Sequence, residues 1–139
     1  MTGLSTDDIE RVRSSFDRIW PISTQTAGLF YERLFEIAPE VRPLFRHDID
    51  DQKRKFISTL AVIVGSLDNT SKLISLTDNL ARLHGDFGVR PAHYPIVGEA
   101  LLWSLERGLG SDWTPGVAAS WSKAYGMISA FMIERGPRD

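Results

Sequence analysis

"LARLHGDFGVRPAHYPIVGEALL", residues 80–102, decides how this chain is to be read. Upstream of it, Leu73 and Leu76 join Leu80 and Leu83 at spacings of three and four, the repeat of one helical face. His84 follows Leu80 by four residues and continues that apolar side, after which Gly85 and Gly88 release the chain from helical geometry. A second helical pattern starts near Ala92 or His93 and carries Ile96, Val97, Leu101, Leu102 and Leu105 to Leu109. The stretch is therefore a helix, a Gly/Pro-rich joint and another helix, with a histidine at the end of the first.

The rest of the chain repeats the helical reading. Ser5 caps a first helix, with Asp8 placed to reach back in a capping box, and Ile9, Val12, Phe16 and Ile19 follow until Pro21 ends or kinks the run. Ser23 opens a second helix with a buried face of Ala27, Phe30, Tyr31 and Leu34. Pro39 allows only a short third helix, ending near Phe45, and "RHDIDDQ" reads as a loop. From Asp51 to about Ser66, Gln52, Phe56, Leu60 and Ile63 share one side. A polar connection over 68–71 precedes the leucine stripe, and Thr114–Pro115 starts a last helix running to about Arg135. No segment alternates cleanly as a strand would, so the fold class is all-α: six main helices and a short third one.

Composition narrows the chemistry. The 139 residues suit one domain, 1–139. Sixteen basic against eighteen acidic residues lack the positive excess that a nucleic-acid partner requires. The absence of cysteine excludes disulfides, thiolate ligands, iron–sulfur clusters and cysteine nucleophiles. The start has no signal-peptide pattern and no apolar stretch reaches membrane-spanning length, so the expected location is cytoplasmic, with no membrane partner.

An imidazole at a helix end beside leucines has two local readings. It is a core or boundary histidine, or it is an axial ligand to haem iron, which needs a neutral nitrogen and flat apolar walls. A zinc site competes poorly, because His47, His84 and His93 form no closely spaced ligand motif. Neither a glycine-rich nucleotide fingerprint nor a strand–turn–helix serine elbow is present. Haem, or no chemistry, is what these exclusions leave.

Three stretches in register carry a resemblance across nearly the whole chain: "LFYERLFEIAPEVRPLF" (29–45), "HGDFGVRPAHYPIVGEALLWSL" (84–105) and "AASWSKAYGMI" (118–128). Together they resemble bacterial single-domain globins, the haemoglobin domain of flavohaemoglobins and neuroglobin-like bacterial globins. The resemblance implies a globin fold, a three-over-three helical sandwich, binding haem b. It makes His84 the proximal iron ligand and Phe45 the phenylalanine stacked on the haem. Tyr31 and Gln52 become the distal, ligand-stabilising pair, with Phe56 limiting the space above the iron. It also implies Leu80, Leu83, Val89 and Val97 as haem-pocket walls, with Leu60 and Met127 as neighbours. Lys55 reaches a haem propionate or stays on a solvated face. His47 is read as a loop histidine and His93 as a surface one.

The distal pair favours an open sixth iron site, since a tyrosine hydroxyl can donate to a partly negative diatomic ligand and an amide does not compete for iron. On the proximal side Tyr94 matches a network tyrosine that orients His84. The same alignment puts Gly136 where that network has a glutamate, and Glu134 lies two residues earlier, about 200° away around a helix. The functional expectation is reversible binding of dioxygen and other diatomic gases by a monomer or weak homodimer. Two alternatives are nitric oxide dioxygenation, which for a chain ending at Asp139 requires a separate reductase, and a gas or redox sensor acting through a partner protein. A haem-free structural relative is disfavoured by the retention of His84, Phe45, Tyr31 and Gln52 together.

Overall fold

A computed structural model describes residues 4–44, 49–86 and 92–135, without the side chains of 44, 49, 81–86 and 135. Six α-helices account for most of it: α1 (Thr6–Ile19), α2 (Ser23–Ile37), α3 (Ile49–Gly65), α4 (Thr70–Asp86), α5 (His93–Leu109) and α6 (Pro115–Arg135). Short 3-10 turns at Trp20–Ile22, Pro39–Leu44 and Gly110–Asp112 join them, the second being the short third helix of the sequence reading. There is no strand among the described residues.

Local chemistry sets the ends of these helices. Ser5 Oγ accepts the Asp8 N–H at 3.0 Å and Asp8 Oδ2 accepts the Ser5 N–H at 3.2 Å, a complete capping box. Asn69 Oδ1 caps α4 through the Lys72 N–H at 3.1 Å, and Thr114 Oγ1 caps α6 through the Val117 N–H at 3.2 Å. Gly110, at φ +58°, ends α5 in a backbone region that L side chains rarely adopt. Two boundaries differ from expectation. α3 begins at Ile49, inside the polar run read as a loop, because Asp50 and Asp51 favour the positive end of a helix dipole. α4 continues through Gly85 to Asp86, since one helical glycine costs only about 1 kcal/mol.

α2 packs most extensively on α5, α4 on α6 and α1 on α6. Val12, Ile19, Leu34, Leu67, Leu73 and Leu105 are fully buried where these faces meet. Polar pairs fix the register within this apolar core. Trp121 Nε1 donates to Ser15 Oγ and Ser120 Oγ to Asp8 Oδ1, both at 2.8 Å, tying α6 to α1. Arg13 of α1 donates through Nε to the Val64 carbonyl at 3.2 Å. Its Nη2 reaches the Gly65 carbonyl and Asp68 Oδ1, both at 3.0 Å, closing the C-terminal end of α3. Among the described residues no helix is long and apolar enough to cross a membrane.

Candidate functional site

α3 and α4 are consecutive in sequence, yet they pack on different partners. α3 lies against α2 and α1, α4 lies against α6, and contact between α3 and α4 is slight. A groove of about 170 Å³ separates them, lined by Thr59, Val62 and Ile63 of α3 and by Leu76, Asn79 and Leu80 of α4. Phe56 and Leu60 of α3, Leu80 of α4, Tyr94 and Val97 of α5 and Met127 of α6 all pack against the core yet remain only partly buried. Four of the six groove residues, Val62, Ile63, Leu76 and Leu80, are apolar, and such a wall suits an apolar group laid against it. The residues present therefore fit haem on the apolar criterion.

At the head of α3 the structure brings Tyr31, Gln52 and Phe56 together. Tyr31 is 5% exposed. Its ring meets Phe30 edge-on at 5.0 Å and Phe56 edge-on at 6.0 Å, while Phe30 and Phe56 stack at 4.3 Å. The Tyr31 hydroxyl donates to the backbone carbonyl of Gln52 at 3.4 Å, a long bond. Burial pushes the Tyr31 phenol up to about 12, so it is a neutral hydrogen-bond donor throughout the physiological range. Gln52 is partly buried one turn before Phe56. Lys55 is exposed and its ammonium lies 3.1 Å from Asp51 Oδ2.

The second half of the expected site is built from α4, α5 and α6. The backbone of His84 lies in the last turn of α4. The side chains of Leu83 and His84, and Phe45, His47, Val89 and Gly136 entirely, lie outside the described residues. Tyr94 is in the first turn of α5, partly buried, with its phenol raised by desolvation. His93, expected on the surface, is partly buried at the first position of that helix. Glu134 is exposed in the last turn of α6, which is regular helix to Arg135.

One participant was not singled out by sequence reasoning. Tyr125 of α6 donates its hydroxyl to the backbone carbonyl of Tyr94 at 2.6 Å. Its ring lies so close to Gly98 that a Cβ there would sit 2.6 Å from Tyr125 Cε2, so any larger residue would displace the ring. Burial and the nearby Tyr94 phenol raise the Tyr125 phenol still further than that of Tyr31. The available signals were a glycine inside an apolar helix, "IVGEALL", and a tyrosine in "KAYG". Neither alone names its partner.

The family model described as Globin matches residues 28–132. A protein named Flavohemoprotein from Bacillus subtilis is 32% identical, over 94% of this chain and 33% of its own length. Another Flavohemoprotein, from Pseudomonas putida, is 35% identical over 75% of this chain and 28% of its own length. This chain thus spans about a third or less of those two proteins. A protein named Neuroglobin from Tetraodon nigroviridis is 28% identical over 95% of this chain and 92% of its own length.

Proposed function

This chain belongs to the globin family, and from that premise we propose that it holds haem between α3 and α4 and binds dioxygen and other diatomic gases reversibly. The observation that carries the reading is the arrangement at the head of α3: a buried, neutral tyrosine hydroxyl over a partly covered apolar wall. When bound, haem supplies an iron centre at which a small gas can coordinate. Residues 1–139 act as one globin domain.

In this reading His84 supplies the imidazole to the iron and Phe45 packs on the macrocycle face. Leu80, Leu83, Val89 and Val97 wall the pocket, with Leu60 and Met127 beside them. Lys55, released from Asp51, offers its ammonium to a haem carboxylate. Tyr31 turns its hydroxyl from the Gln52 carbonyl toward a polarised ligand, and the Gln52 amide adds a second donor. Phe56 excludes water, which strengthens both donors in the lower dielectric. Without cysteine the chain cannot form a thioether link, so non-covalently held haem b is the form it suits. A separate reductase would return oxidised iron to the gas-binding state.

Absorption spectra of the purified full chain in ferric, ferrous and carbonyl forms test this. A Soret band that weakens or shifts in His84→Gly is expected. Absence of haem uptake by the parent sinks the proposal, and a six-coordinate ferrous spectrum without added gas sinks the open-site part. Sustained nitric oxide consumption with a reductase, instead of one stoichiometric burst, would establish dioxygenation as the activity.

A further inference from the structure

α2 holds Phe56 of α3 from two directions. The Phe30 ring lies flat on it, with centroids 4.3 Å apart and planes 9° from parallel. The Tyr31 ring meets it edge-on at 6.0 Å and meets Phe30 at 5.0 Å, so each of the three rings pairs with the other two. Phe30 and Tyr31 are 3% and 5% exposed, whereas Phe56 is partly buried, so the uncovered surface of this trio belongs to Phe56. In a close-packed interior, a ring stacked this closely cannot turn its edge through the contact unless its neighbour yields. Phe30 belongs to the buried core and has little room to yield.

We propose that Phe30 is a positioning residue that sets the size of ligand the site accepts. It does not meet the gas; it holds Phe56 flat, so that the wall one turn from Gln52 keeps one shape, admitting a diatomic ligand and refusing a branched one. Phe56 by itself is a phenyl group on two rotatable bonds, a wall that a larger ligand could push aside. Adjacent residues of α2 thereby divide two tasks: Phe30 fixes the wall and Tyr31 offers the donor. The proposal rests on the haem reading given above.

The experiment loads the full chain, its Phe30→Leu and Phe56→Leu variants and the double variant with haem, and mixes each with carbon monoxide or tert-butyl isocyanide. The readout is the ratio of the two association rates, isocyanide over carbon monoxide. Phe30→Leu removes the flat face and should raise the ratio roughly tenfold, the equivalent of losing one aromatic pair. With Phe56 already replaced, Phe30→Leu should add nothing, since the two residues act through one contact. A ratio unchanged in Phe30→Leu overturns the proposal. An equal rise in the Phe56→Leu background also overturns it, because Phe30 then acts by another route. Aromatic NMR of the parent with labelled phenylalanine is a second test that needs neither folded Phe30→Leu nor haem. The two sides of the Phe56 ring, assigned by their loss in Phe56→Leu, should give separate resonances, and a single averaged set overturns the hold by Phe30. A parent chain that takes up no haem defeats the haem reading, and those resonances in the apoprotein still decide whether Phe30 fixes Phe56.

Discussion

Tyr31 is the residue on which the most chemistry converges. Its hydroxyl is removed from water, kept protonated by burial and loosely committed to the Gln52 carbonyl at 3.4 Å. A donor held that weakly can be redirected at little cost. Tyr31→Phe should therefore leave haem uptake intact and raise the oxygen dissociation rate roughly 10- to 100-fold, as expected for a hydrogen bond to a partly charged acceptor. Stopped-flow displacement by carbon monoxide measures it, and an unchanged rate removes Tyr31 from the ligand-stabilising role. The same burial makes a prediction about alkali. Tyr31 is raised from 10.0 to about 12 and Tyr125 moves in the same direction, so the folded chain holds these protons more tightly than the unfolded one. The resulting stability is complete below pH 10 and is lost as pH climbs through 12. Tyr31 alone contributes on the order of 2–3 kcal/mol. Urea denaturation midpoints measured from pH 9 to 12 should fall across that window, and a flat profile would contradict the burial of these phenols.

At the scale of elements, α1 and α6 are joined by a charged seam. Asp8 is held to about 2, below its usual 3.8, first by the Ser120 hydroxyl and then by the Ser5 N–H, with Lys123 adding attraction at 3.6 Å. A depressed carboxylate stabilises above pH 3.8, and that contribution disappears as pH falls toward 2. Asp8→Asn should lower the midpoint of thermal unfolding at pH 7, and the gap from the parent should close at pH 2. Calorimetry at the two pH values checks both halves. Caps of this kind were legible in sequence because the partners sit three residues apart, as Ser5 with Asp8 and Thr114 with Val117 do. The buried faces of α1 and α2 were legible from periodicity for the same local reason. The start of α3 was misplaced because Asp50 and Asp51 look like loop residues and act as favourable charges at a helix head. The bond from Tyr125 to Tyr94 was illegible, since its acceptor is a backbone carbonyl that every residue owns. The stack of Phe30 on Phe56 depends on how α2 crosses α3, which spacing within either helix does not contain.

At the scale of the molecule, the six helices of the described residues bury one core and leave a band of apolar side chains, Val62, Ile63, Leu76 and Leu80, along the groove between α3 and α4. A ligand that covers this band binds the folded chain and not the unfolded one, so it adds stability by mass action. Stripping haem from the purified protein should lower the melting temperature and create sites for a fluorescent hydrophobic dye. Readdition of haem should reverse both, and an apoprotein as stable and dye-silent as the holoprotein would contradict the fit described for the groove. Arg13 anchors one end of the helix that walls this groove. It binds two carbonyls and Asp68 at the far end of α3, and the near end is held to α2 by the stack of Phe56 on Phe30 and by the contact of Tyr31 with Gln52. Residues 52–65 span about 20 Å of helix. Those two fastenings thus stand a helix length apart, one at each end of the wall of the groove. The tyrosine proposed to meet a gas ligand is thereby also part of what ties α3 to α2.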